Sequence, residues 1–533
     1  LDTILDYYSH TEYKPSPEQI ERDRWVFFGL FRCRPWMSLP AGVLIQFCYG
    51  SVYAWSIFNG PINTAMTSDP EKGQAEITFY IALGVLGITG ALFGPWIESS
   101  HPQKSGAIGL AVFFSGHLTT ALAIYARMMS LLYFGYGFVA GVGLGIGYVS
   151  TIDAMSKWWP KARGTAAGCA VMGFGGGSLA FSAINKWLVD HASLPSAFVV
   201  LGAINLAVMG VCIQFIRPPP PGHNVDGVPM VENSAKSIQT TRMMKHLTEG
   251  SELTHTESTQ QRPRYLHILG TDSLIVHISL AEALRSRDFW LLYVSFLANI
   301  VFCLVVLSNL PSMINHLFGS ESRTHQNPPL PAYLAVSIEG GFNMAGRIAV
   351  GFVSDVVGRK ATFLMLLLTQ AAVLVCIPFS IQAGSCWAFL GLVWTATVCY
   401  GGGFGMVPAF LSDMFGSNNT SSCHGIFLTA WSIASIFGGM LFTGINNRFL
   451  NSGARPYDTK MYTVNFMWML ALVVAGLLCC LFVRSSIKDR LFPALPDQVL
   501  RMRVFGRVLR VLWRLHIEVL SKAQEQAAWE EYL

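Results

Sequence analysis

The chain has 533 residues, of which 52% are hydrophobic and only 13% charged, and its mean hydropathy is +0.43. Such a composition excludes a soluble globular protein of this size and places most of the chain in lipid. The formal net charge of +5 is spread over loops and ends between apolar windows, which excludes a nucleic-acid-binding surface and fits a membrane-lipid contact.

Residues 1–37 are polar, with Trp25 to Trp36 as an interfacial lead-in. The chain begins at Leu1, with no signal peptide in view, and its N-terminus is expected to be incomplete. Windows of about twenty apolar residues then predict twelve spans, centred near residues 50, 86, 115, 140, 176, 206, 300, 342, 371, 398, 434 and 472. They form a first half over 38–216 and a second over 287–484, joined by a linker over 217–286 that opens on Pro218–Pro221 and is rich in Ser, Thr and Gln. An H-x-x-x-x-D pattern at His267 and Asp272 lies in this loose linker and is a chance match. The basic residues of 485–533 alternate with Val, Leu and Trp, and Leu491 to Leu520 is expected to be an amphipathic helix on the inner leaflet.

Lys157, Lys161 and Arg163, the 359–360 pair and the arginines after residue 484 put both termini and the linker in the cytoplasm, with Arg448, Arg455 and Lys460 as exceptions. The sequons at Asn418 and Asn419 fall on that side and should carry no glycan. Plasma membrane and organelle both fit. Eleven cysteines, mostly inside spans and without a C-x-x-C, read as small core residues, so neither a metal site nor a disulfide framework is expected.

Within span eight, FNMAGRIAVGFVSDVVGRK sets Arg347 about 12 Å deeper than Asp355. An arginine at that depth faces a wet or polar cavity, or else its head snorkels back to the surface beside Asp355. GFVSDVVGRK has a degraded counterpart in GPWIESSHPQK, where Gly94 matches Gly351 and Glu98 matches Asp355. Repeated halves describe a secondary transporter working by alternating access. Gly351, Asp355, Gly358, Arg359 and Lys360 are expected to gate or scaffold it rather than bind substrate. The glycine runs 141–147, 173–177 and 401–403 match no G-x-G-x-x-G and read as close helix packing.

The pattern GxxSDxxGRK resembles the signature loop of the major facilitator superfamily, an all-α fold of twelve transmembrane helices in two six-helix halves. QFCYGSVYAWSIFNGP, KWWPKARGTAAG, AEALRSRDFW, FNMAGR and ASIFGG further resemble the oxalate/formate antiporter family, neighbours of the monocarboxylate porters. The resemblance implies a small carboxylate held between two basic side chains, in spans eight and eleven, inside an aromatic box. Arg347 matches the first, and the second, a lysine in the family, is Trp431 here. One cation suits a monoanion such as formate, lactate or pyruvate, and two suit oxalate. Tyr53, Trp55, Tyr148, Phe174, Tyr400 and Phe404 match the box, Val52 replaces a family glutamine, and Asn343 stands where proton-coupled relatives carry an aspartate. Trp55, whose N–H needs a partner, is expected to lean towards the cavity.

Arginine binds a carboxylate but shuttles no proton. Glu339 and Asp153 are the carboxyl candidates for proton coupling, or are respectively an outer-vestibule charge and the partner of Lys157. Proton symport and counter-anion exchange both stay open. A dicarboxylate exchanger and a non-transporting nutrient sensor are the alternatives. No cofactor, metal or enzyme activity is expected, and the carrier is read as a monomer.

Overall fold

The computed structural model describes residues 7, 15–27, 29–67, 74–156, 158, 163–219, 224–225, 228–229, 280–319, 328–415, 420–453, 455, 458–486, 489, 498–512, 516–525 and 527. The expected features at His267, Asp272, Lys157, Lys161, Asn418 and Asn419 lie outside these residues.

Among the described residues, twelve long helices follow the twelve apolar windows. In the first half they are α1 (Trp36–Thr67), α2 (Ala75–Ser99), α3 (Pro102–Tyr125), α4 (Met129–Met155), α5 (Arg163–His191) and α6 (Leu194–Ile213). In the second they are α7 (Arg287–Phe318), α8 (Ala332–Val357), α9 (Arg359–Gln382), α10 (Cys386–Phe415), α11 (Ser422–Asn451) and α12 (Thr459–Phe482). Of these described helices, ten are long and apolar enough to cross a membrane; α5 and α8 are long enough but more polar. These two pack against each other at the centre, where their polar residues face protein instead of lipid.

Local chemistry sets several helix ends. Pro102 and Pro195 stand in the first turns of α3 and α6, and His101 and Ser193 accept from backbone N–H groups there. Asp458 caps α12 through Lys460 N at 2.9 Å. Between α8 and α9, Gly358 has φ +114°, a conformation that disfavours any side chain, so the chain turns there without a loop. Three helices depart from α geometry: α1 is 3₁₀ over Gly50–Phe58, and α4 and α11 widen into π turns over Tyr133–Ala140 and Ala434–Gly438.

The two halves meet along α5 with α8 and α2 with α11. Polar bonds cross the junction at both ends. Towards the 351–360 turn, Ser422 Oγ donates to Glu98 Oε2 at 3.0 Å. At the far end, Ser308 Oγ and Asn309 Nδ2 donate to Tyr80 Oη at 3.1 and 3.0 Å, and Asn59 Nδ2 donates to Ser308 O at 2.9 Å. The halves are therefore bonded on both sides of the centre, an occluded arrangement.

The amphipathic helix expected over 491–520 is not what forms. β1 (Gln498–Val504), β2 (Arg507–Leu512) and β3 (Ile517–Leu520) make an antiparallel sheet in the order β1-β2-β3. Arginines alternating with β-branched residues suit a strand's period of two, and Phe505 and Gly506, both at positive φ, close a two-residue hairpin between Val504 and Arg507. Before α1, Trp25–Val26 and Phe31–Arg32 likewise pair as a short hairpin.

Candidate functional site

Arg347 lies at the middle of the α5/α8 contact and is 0% exposed. Its Nε donates to Asn343 Oδ1 at 3.0 Å, Nη1 to the carbonyl of Val171 at 3.1 Å and Nη2 to Tyr53 Oη at 3.4 Å. Its Cζ lies 5.0 Å from the ring centre of Phe404 and 5.8 Å from that of Phe174. Two aromatic faces and three neutral oxygens thus stabilise the guanidinium, and none of those partners is an anion. The head does not snorkel: Asp355 pairs with Arg359 instead, at 2.5 Å.

Four further rings complete the enclosure. Trp431 packs on Phe404 at 4.6 Å, Phe174 at 5.5 Å, Tyr148 at 5.8 Å and Tyr53 at 6.4 Å between centroids. Tyr53 and Tyr400 share a hydrogen bond of 2.6 Å between hydroxyls, and Tyr148 meets Phe174 edge-on at 5.1 Å. The structure therefore gathers Arg347, Asn343, Tyr53, Tyr148, Phe174, Tyr400, Phe404 and Trp431 in one box, fed by both halves. Val52 is buried nearby in sequence, and the glutamine that acts beside the box is Gln46, whose Nε2 donates to Tyr148 O at 3.0 Å.

The box has unused donors. Trp431 Nε1 and Asn343 Nδ2 are buried without a hydrogen-bond partner, and Tyr148 Oη makes no hydrogen bond of acceptable geometry. A buried N–H left unsatisfied is costly, so such groups in a closed box are poised for a ligand that brings acceptor oxygens.

Trp55 lies elsewhere. Its ring packs on Tyr136 at 4.4 Å and Phe198 at 5.8 Å, and its Nε1 donates to the carbonyl of Ala75 at 3.0 Å, inside the first half. Residues two apart on a helix point to different faces, so Tyr53 and Trp55 cannot both line one cavity. Its N–H did need a partner, and the backbone supplies it.

Glu339 is not a vestibule charge: it is 0% exposed, takes a hydrogen bond from Thr397 Oγ1 at 3.3 Å and lies inside the second half. Asp153 is buried near the opposite end of α4.

The glycine runs explain how the helices come so close. A Cβ on Gly175 would lie 2.7 Å from both Arg347 Nε and Asn343 Oδ1, and one on Gly405 would lie 2.2 Å from the Arg347 carbonyl. Only glycine at these two positions lets α5 and α10 come this close to Arg347.

At the 351–360 turn, Arg359 is a hub: Nη2 pairs with Asp355, Nε with Asp413 Oδ2 at 3.0 Å, and Nη1 donates to Ser354 Oγ at 2.5 Å. Gly351 accepts from Ser354 Oγ at 2.7 Å. Among the described residues Lys360 pairs with no carboxylate; its Nζ donates to the carbonyls of Leu481 at 2.6 Å and Arg501 at 3.1 Å. Phe505 N donates to Val357 O at 2.9 Å, so the sheet is seated on this turn. Arg501 and Arg503 hold it together through Asp489 and Glu525, with Arg501 Nε 2.8 Å from Asp489 Oδ1 and Arg503 Nη1 2.8 Å from Glu525 Oε2.

Sequence reasoning missed two contributors. The Val171 carbonyl leaves no trace in a sequence. Gln46 does: it is a polar residue in an apolar window, the same signal that singled out Arg347.

A family model described as Major Facilitator Superfamily matches residues 15–439. The chain is 24% identical over 409 residues to the uncharacterized MFS-type transporter YhjX of Escherichia coli K12, covering 75% of this chain and 86% of that one. It is 26% identical over 421 residues to the oxalate:formate antiporter of Oxalobacter formigenes, covering 78% and 85%. With human monocarboxylate transporter 14 the identity is 22% over 479 residues, covering 82% and 89%. Twelve long helices in two halves, an Arg-centred box between them, and a family match over most of the chain lead to one conclusion: this integral, multi-pass membrane protein belongs to the major facilitator superfamily.

Proposed function

We propose that the protein is a secondary active transporter that carries a small monocarboxylate, of the size of formate, lactate or pyruvate, by alternating access, with Arg347 as the anion anchor. The observation that carries this reading is a permanently charged fork, fully buried between the halves, whose partners are all neutral and whose surrounding box holds spare donors. The names of two relatives, an oxalate:formate antiporter and a monocarboxylate transporter, support the carboxylate class. Trp431 supports the monoanion within it, because the box offers Arg347 as its fixed cation and an indole where a second would stand. Asp355, Arg359 and Asp413 would serve as the gate cluster at the cytoplasmic end, where the basic loops also put both termini.

Counterflow in proteoliposomes tests the reading. Radiolabelled formate, lactate, pyruvate and oxalate, with a neutral sugar as control, are measured for wild type beside Arg347→Gln. Exchange of a monocarboxylate by wild type, lost in a variant that stays monodisperse, is the expected result. Movement of the sugar alone, or full activity of Arg347→Gln, would overturn it.

A further inference from the structure

His424 lies on α11 seven residues before Trp431, about 10 Å along the helix towards the 351–360 turn. It is 4% exposed, and neither ring nitrogen has a hydrogen-bond partner. Its ring stacks on Tyr148 of the other half, with centroids 6.5 Å apart and planes 30° apart. The next residue, Gly425, would bring a Cβ within 2.7 Å of the Gly90 carbonyl on α2, so the halves touch backbone to backbone beside the imidazole. A neutral imidazole carries one donor and one acceptor, and both are idle here in the seam that must part when the carrier opens.

We propose that His424 is the proton-carrying group that couples anion movement to a pH gradient, an inference that rests on the carboxylate-carrier reading above.

Among the described residues, the carboxyl groups around α11 have partners of their own. Glu98 on α2 accepts from Ser422, Tyr293 on α7 shares a hydrogen bond with Thr429 at 2.8 Å, and Asp413 on α10 is held by Arg359. Asp153 on α4 has a partner of its own, as does Glu282, in the short helix Leu280–Arg285 before α7. Tyr148 is the titratable side chain in ring contact with His424, and it also touches Phe174 and Trp431 of the box. An arginine side chain is no proton shuttle, Asn343 has no proton to give, and Glu339 turns into the second half, towards Thr397.

His424 is placed to meet both sides in turn. Parting α2 from α11 wets it directly, and opening at the far end reaches it through the box past Tyr148. Imidazole changes charge near neutral pH in water, so the group can load on one side and unload on the other. Charge counting favours a one-to-one step. The empty closed site holds the single positive charge of Arg347, and adding one monoanion together with one proton on His424 leaves that total unchanged. The closed form that accommodates the empty site therefore accommodates the loaded one.

The test uses the full-length chain in proteoliposomes and radiolabelled lactate and pyruvate, in two modes: exchange at equal pH, and uptake driven by an acid exterior. Wild type is expected to do both. His424→Gln and His424→Asn are expected to keep exchange within about threefold and lose acid-driven accumulation by at least about tenfold, with the pH dependence of uptake flattened. If the variants still accumulate substrate under acid drive, or lose both modes in proportion, the proposal is overturned. If wild type exchanges carboxylates without responding to the gradient, the proposal fails while the carrier reading stands. If wild type exchanges none, both fall.

Discussion

The hydroxyls of Tyr53 and Tyr400 meet at 2.6 Å across the junction of the two halves, and Tyr53 Oη also receives the Arg347 guanidinium at 3.4 Å. The bond that closes the box is thus made by a side chain that also touches Arg347, so opening the box must break it, and on the proposed carrier reading a bound anion would compete for the same groups. Tyr53→Phe and Tyr400→Phe are each expected to shift the carrier towards open forms by about 1 kcal/mol, about fivefold in population. The double variant should add little to either. Spin-label distances between the halves at the Tyr80 and Ser308 end check this.

Arg347→Lys keeps the charge and loses the fork. Lysine cannot reach Asn343, Val171 O and Tyr53 together in planar geometry, so substrate affinity is expected to fall about tenfold or more while the protein stays folded. Equilibrium binding of lactate to the purified variant measures it.

Gly405→Ala drives a methyl group into the Arg347 carbonyl, which is backbone and cannot step aside. The expected cost is about 1–3 kcal/mol of stability, seen as a lower melting temperature. Gly175→Ala presses instead on movable side-chain atoms of Arg347 and Asn343, and it is expected to impair transport more than stability.

Asp355→Asn removes one of the two carboxylates around Arg359 and leaves Asp413 in place. Flux is expected to fall several-fold with little change in equilibrium affinity, measured by pairing initial uptake rates with binding. A large loss of affinity would move Asp355 into the binding site.

Gly358→Ala combines a positive φ with a Cβ 2.5 Å from the Arg503 carbonyl, so it is expected to lift the three-stranded sheet from the 351–360 turn. Limited trypsin digestion should then cut within β1 and β2 faster than in wild type. Trp55→Phe is a control for the box: it should lower stability by about 1 kcal/mol through the lost bond to Ala75 O and leave affinity unchanged.

The sequence by itself determined the twelve helices, the two halves and the buried arginine between them. Apolar windows of span length have one solution in lipid, and a lone arginine within one demands a polar surrounding, so both features are legible from composition along the chain. It also indicated most of the box, because rings on spans one, four, five, ten and eleven matched a known pattern and indeed meet around Arg347. Tertiary structure decided which face each of them used. Tyr53 enters the box and Trp55 does not, since a helix turns two neighbours-but-one away from each other. Glu339 turns into the second half, and Val171 contributes a carbonyl that no side-chain pattern records. The last segment shows the limit most clearly: Arg501 and Arg503 were equally consistent with a helix face on lipid. Long-range pairing with Asp489 and Glu525, and docking on Val357 and Gly358, made it a sheet. Local periodicity ranks the secondary structures available to a short charged segment, but contacts distant in sequence choose among them.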